Sequence, residues 1–276
     1  MTERYYSIAG ITVKMCMEKD ESLQMFEEFE LISDREILPE LTVEVWQEQN
    51  AFHQWYGVDY CRAEEKRPHL FVSRRYPKVR LTADENWEDY VIEGAKYGID
   101  GVMEVFLCAF YSWISLRGGI LIHASCVAFE REGIIFTAPS GTGKTTQAEL
   151  WEKYRSAEIL NGDKAVIDCG SGDPMLWGTP WRGSSPYAVN KSVPLKAVVV
   201  LAQGEKNEIC RLEGADAVSG FFPHVFFPSW SEECVNNVMR SLDGLLRRIP
   251  VYFLSCLPDE GAVELTCQMI WGEDIR

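Results

Sequence analysis

Residues 138 to 146 read Ala138-Pro139-Ser140-Gly141-Thr142-Gly143-Lys144-Thr145-Thr146. They fit the pattern G-x-x-x-x-G-K-[ST] at every place but the first, where Ala138 stands for glycine. The chemistry this spacing serves is the grip on a polyphosphate. Gly141 and Gly143 let the backbone turn so that its N–H groups point inward, Ser140 and Thr142 supplying N–H groups beside them. The positive end of a following helix adds to that field. Lys144 reaches the terminal phosphates as a point charge, and the Thr145 hydroxyl is the expected ligand for Mg²⁺. Thr146 falls in the first turn of the helix, so Ser140 to Thr146 are the candidate nucleotide-binding residues.

Three further residues have types that suit such a site. Asp163, in Ile159-Leu160-Asn161-Gly162-Asp163-Lys164, comes nineteen residues after Lys144. A carboxylate facing a phosphate loop serves as a metal ligand or a base. His123, in Leu121-Ile122-His123-Ala124-Ser125, precedes the loop and is a candidate acid–base group. Arg182, in the Gly/Pro/Trp-rich stretch Trp177 to Tyr187, could neutralise charge on a transferring phosphate or stack on Trp177 or Trp181. Lys164 is placed to pair with Asp163. Asp168 reads as a turn residue.

The elements that must position these groups are legible as patterns. Gly133 to Thr137 is a short apolar strand entering the loop, and Gln147 to Tyr154 is helix-compatible with Ala148 and Trp151 on one side. Ile120 to Phe129 reads as one strand, joined through Glu130-Arg131-Glu132-Gly133 to the loop strand as a hairpin. Further strands are expected at 158–160, 164–168, 175–179, 195–202, 208–212 and 251–254. Helices are expected at 102–116, 231–248 with Ser231 as N-cap, and within 259–270. Strands are expected within 5–16, 41–47, 69–81 and 90–93, with a helix at 21–31. Trp46, Trp55 and Trp87 read as core or partner-facing residues. The expected division is an N-terminal α+β domain over residues 1–100, recognising a substrate or partner, and a nucleotide-binding core over 101–276.

Composition narrows the partners. The chain has 276 residues, with 27 basic against 42 acidic, a formal net charge of −15. That argues against nucleic acid, whose binding rests on Lys and Arg neutralising phosphates, and against an anionic membrane surface. A basic peptide suits it by charge alone, although a solvated acidic surface is the more common reading of such a balance. The nine cysteines are scattered, with no C-x-x-C pair, as in a reduced compartment. The start, Met1 to Tyr6, lacks the apolar core of a signal peptide, and the apolar run 102–116 is short for a membrane span. The expected location is cytoplasmic.

Four blocks, Leu121 to Ser125, Ala138 to Thr146, Leu160 to Lys164 and more loosely Trp177 to Gly183, resemble the HPr kinase/phosphorylase and ATP-dependent phosphoenolpyruvate carboxykinase superfamily. The resemblance covers roughly residues 100 to 276 and is strongest to short kinase-like members near modified-peptide genes. It implies an α/β fold with a mixed-sheet P-loop core, ATP and Mg²⁺ as cofactors, and His123, Lys144 and Asp163 as catalytic residues, to which Arg182 is added on its charge and place alone. Thr145 and Asp163 would then hold the metal. Where the family often carries Asp-Asp, this chain has Gly162-Asp163. The implied activity is phosphoryl transfer to a hydroxyl, of Ser or Thr in a peptide or protein. A non-catalytic ATP/ADP-binding module and a small-molecule kinase stay open as alternatives.

Overall fold

The computed structural model describes residues 2–17, 24–33, 36–46, 57–62, 66–170 and 172–272. Trp55 and the first residues of the expected 21–31 helix lie outside them. Contacts divide the chain into two units, 1–117 with 227–237, and 118–226 with 238–276.

The first unit is built on a seven-stranded sheet. β1 (Thr2–Ile8) and β2 (Ile11–Met17) form a hairpin turning through Ala9 and Gly10, both at positive φ. β3 (Leu41–Trp46), β4 (Val58–Arg62), β5 (His69–Ser73), β6 (Arg80–Ala83) and β7 (Asp89–Glu93) complete it in the order β1-β2-β3-β7-β6-β5-β4. β3 is parallel to both its neighbours and the rest are antiparallel. β5 alternates buried and half-buried positions, the period of a strand with one face on a core. Helix α1 (Ile99–Ser115) packs on β5 and β6. It is apolar on most of its circumference and accordingly buried on most of it. Trp87 is core: His69 stacks on it at 3.6 Å. The expected helix at 21–31 is a short 3₁₀ turn, Gln24–Phe29.

The second unit carries the loop. Its elements are β8 (Gly119–His123), β9 (Ser125–Phe129), β10 (Glu132–Thr137), α2 (Lys144–Arg155), β11 (Glu158–Asn161), β12 (Lys164–Asp168), β13 (Met175–Gly178), β14 (Ser192–Gln203), β15 (Glu208–Leu212), α3 (Gly214–Phe221), α4 (Glu232–Leu246), β16 (Val251–Cys256) and α5 (Glu260–Trp271). The first residues of α4 group with the first unit. Ser231 caps α4, accepting the Cys234 N–H at 3.3 Å.

The sheet runs β11-β9-β10-β14-β13-β12-β8, with β16 also on β14 and β15 on β16. Only β10, β14 and β16 run parallel to one another. Mixed sheets in both units make this an α/β protein. β14 is twelve residues long, its start paired with β13 and its remainder with β10 and β16. No helix among the described residues is long and apolar enough to cross a membrane.

The expected single strand over 120–129 is two. At Ala124 the chain leaves the β8–β12 ladder and joins β9 to β10 and β11, and the Ala124 N–H donates to the Asp163 carbonyl at 2.9 Å. The unbroken apolar run conceals this change of partners, because both halves are buried. The β9–β10 hairpin is as the sequence suggests.

Candidate phosphate-binding site

β10 delivers the loop and α2 receives it. The junction is fixed by a core of Phe129, Phe136, Ala138, Ala148 and Trp151, with the Trp151 ring 5.5 Å from Phe129 and 6.1 Å from Phe136. Ala138, at the place where the pattern has glycine, is fully buried in that core. Gly141 and Gly143 sit at φ 80° and 113°, a region that side chains disfavour, although a Cβ at either would meet open space. Conformation, not crowding, requires glycine at both. Gly143 is the N-cap of α2, so the N–H groups of its first turn lack intrahelical partners.

Lys144 is buried, and its Nζ donates to the Ala138 carbonyl at 3.0 Å and the Pro139 carbonyl at 3.4 Å. Burial lowers its pKa from the ordinary value, and the Asp163 charge partly offsets this. The Thr145 hydroxyl lies 3.4 Å from the buried Ser125 hydroxyl and from the Gly162 carbonyl. Ser125 donates to that carbonyl at 3.0 Å, so one serine ties together the start of α2 and the β11–β12 turn.

That turn is built by Asn161. Its buried side chain accepts the N–H groups of Asp163 at 2.7 Å and Lys164 at 2.8 Å, and donates to the Thr179 carbonyl at 2.7 Å. Asp163 is thereby aimed at the loop. His123 Nδ1 lies 3.2 Å from Asp163 Oδ1, and Lys164 Nζ pairs with the other oxygen. Burial raises the carboxyl, but hydrogen bonds from His123 and Lys164, and their charges, outweigh it and hold Asp163 at about 2. In the neutral tautomer that donates from Nδ1 to Asp163, His123 Nε2 is left as an acceptor.

The segment after β13 folds over this pair. Gly183, at φ 60°, comes so close that a Cβ on it would lie 2.9 Å from Asp163 Oδ2. A Cβ on Gly162 would run into the Ser185 hydroxyl, which fills that notch. Arg182 donates to the Pro186 carbonyl at 3.1 Å. The result is a cavity of about 310 Å³ lined by His123, Ser140, Gly141, Gly143, Lys144, Thr145, Thr146, Gly162, Asp163, Arg182, Ser184 and Ser185. All the singled-out site residues meet there except Thr142. Thr142 lines a second cavity, of about 490 Å³, on the other side of the loop at the carboxyl ends of β14 and β16. Asp168 lies elsewhere: instead of the expected turn position it is the last residue of β12, paired with Gly119 and Met175, and its side chain accepts the Gly170 N–H at 2.8 Å.

Reading the sequence alone misses His224, Ser125, Asn161 and the two serines of the covering segment as working parts. His224 arrives through an antiparallel bridge, Ile122 to Val225, backed by a 3.0 Å bond from the Phe226 N–H to the Leu121 carbonyl. That register sets His224 opposite His123. On the other flank, Lys164 pairs with His123. Burial, then the charges of Lys144 and His123, lower the His224 pKa from its ordinary value. A His one residue before a strand bridge has no motif to announce it.

The donor set suits a phosphate-bound hard cation. Thr145 and Asp163 offer oxygen to one cavity. Among the described residues no three His, Cys, Asp or Glu side chains group closely enough to hold a metal by themselves. Inside the rim of the second cavity, the buried Gln147 Nε2 has no hydrogen-bond partner among the described residues.

What fold and site define is an α/β protein whose parallel strand trio leads into a glycine-rich strand–loop–helix junction. Scanned against models of known protein families the chain matches none, and no curated protein matches it.

Proposed function

We propose that this chain binds Mg·ATP and transfers the terminal phosphoryl group to a hydroxyl, that of Ser or Thr in a peptide or protein. The observation that carries the reading is the His123–Asp163 pair on the wall of the cavity that holds Lys144 and Thr145, with Lys164 paired to the same carboxylate. The order of the four sequence blocks and the hairpin feeding the loop support an HPr-kinase-type core. The nine free cysteines, none disulfide-bonded, support a reducing, cytoplasmic setting.

Roles follow from the electrostatics. A carboxyl held at about 2 is a poor proton acceptor near neutrality, so Asp163 serves as an anion and metal ligand with Thr145. Asp163 in turn orients His123, whose Nε2 takes the proton of the acceptor hydroxyl. Lys144 and Arg182 neutralise the charge that gathers on the moving phosphoryl group. Bound Mg²⁺ would supply further charge neutralisation and alignment of the phosphates. The second cavity has the size and place for the nucleoside, at the carboxyl ends of parallel strands, with Gln147 in need of a partner.

The test is transfer of labelled γ-phosphate from Mg·ATP into a fractionated host extract, beside Lys144→Ala. Label in a macromolecular band, lost by at least about a hundredfold in the variant, is the expected result. Label only in the small-molecule fraction would reassign the acceptor to a metabolite. The lone carboxylate, with Ser185 filling the space beside it, favours a second reading, a nucleotide-binding module. ATP bound by wild type without any label transferred would establish that one instead.

A further inference from the structure

The cavity wall carries an acceptor of its own. Its hydroxyl-bearing residues are Ser140, Thr145, Thr146, Ser184 and Ser185. Three belong to the phosphate loop and the first turn of α2. Ser185 is seated in the notch over Gly162 and accepts the Tyr187 N–H at 3.4 Å. Ser184 is different: it is exposed, and no hydrogen bond to its side chain is found among the described residues.

The segment bearing Ser184 is pinned on both sides. Before it, Trp181 is buried and its N–H donates to Thr179 Oγ1 at 3.3 Å. After it, the Gly162 N–H donates to the Tyr187 carbonyl at 3.3 Å, and the Tyr187 hydroxyl donates to Glu149 on α2 at 3.2 Å. Between the pins, Gly183 lies against the Asp163 carboxylate. The next residue is therefore held within the chamber where the terminal phosphate would sit. Confinement of this kind raises the effective concentration of a reacting group by orders of magnitude.

We propose that Ser184 is a phosphorylation site of the protein's own making, modified in cis from ATP. The inference rests on the phosphoryl-transfer reading. The Ser184 Oγ–P bond forms, the bond between the terminal phosphorus and the bridging oxygen breaks, and ADP leaves. The hydroxyl proton passes to His123 Nε2 and from there to solvent. The product is a phosphoserine of nearly two negative charges next to Arg182 and facing Lys144. It fills the space of the transferable phosphate, so modification closes the site to further turnover.

The experiment uses the full chain incubated with Mg·ATP, followed by intact mass, site mapping and a parallel assay of ATP hydrolysis. Wild type is expected to take up one phosphate, on Ser184, at a rate independent of protein concentration. Ser184→Ala and Lys144→Ala take up none, and Ser184→Thr yields phosphothreonine at the same position. Uptake by Ser184→Ala at the wild-type rate would overturn the proposal, as would a rate that rises with protein concentration. Hydrolysis or peptide labelling without self-modification overturns it too, but leaves the kinase reading standing. Absence of modification, hydrolysis and ATP binding together removes both.

Discussion

Asp163 carries two charge partners on one carboxylate, and its protonation is therefore a stability term. Its folded value, about 2, lies below the ordinary 3.8. A depressed carboxyl contributes stability that is present above the unfolded value and is lost as pH falls through the folded one. The metal-free chain should draw about 2 kcal/mol from this residue at neutral pH. Urea unfolding of wild type and Asp163→Asn checks it: the two should differ near pH 7 and converge as pH drops from about 4 towards 2. A gap independent of pH would show that the pairing contributes nothing.

His224 makes a second test at the same scale. Removing the ring opposite His123 frees His123 on one flank while leaving the phosphate loop intact. His224→Ala is expected to lower kcat by between about tenfold and a hundredfold with the KM for ATP unchanged. A rise in KM instead would place this ring against the nucleotide. Lys144, Thr145, Asp163 and His123 could be picked from the sequence because short-range spacing fixes them. His224 and Ser184 could not, because a bridge between distant segments and a folded-over loop bring them in.

Among elements, the β11–β12 turn and the segment covering it are fitted to each other. Gly162 is the residue that differs from the paired carboxylates of the resembled family, and Ser185 occupies the room a side chain there would need. Gly162→Asp should therefore cost about 1–3 kcal/mol through overpacking. Adding Ser185→Gly should recover most of it, a coupling visible in a double-mutant cycle by denaturant unfolding. Additive costs would show that the two positions do not compete for space. Most strands and helices of the second unit were legible, because apolar runs bounded by turn residues mark them. The split at Ala124 was not, since a buried strand and a buried change of partner have the same composition. α3 escaped notice for a related reason: Gly214–Phe221 is too short to show a helical period clearly.

Taken whole, the protein combines an acidic surface with a small cationic recess. Lys164 pairs with Asp163, and Lys144 and Arg182 line the same cavity as that carboxylate, in a chain of formal charge −15. Anions must therefore be drawn in by the local field, whereas basic segments are attracted over a wider range. The division of the chain was only partly legible. The expected boundary at residue 100 falls inside the first unit, because contacts put α1 there and return 227–237 to it, a tertiary pairing that no local composition reports.

β14 has one further implication. A single continuous strand belongs to the ladder of β13, which leads through β12 to the His123 strand, and to the parallel trio that ends in the phosphate loop. Neither half of the site can come apart by local opening without disturbing the strand that the other half shares. The loop and His123 are thus bound into one cooperative unit, and the backbone amides around them should exchange with solvent together or not at all.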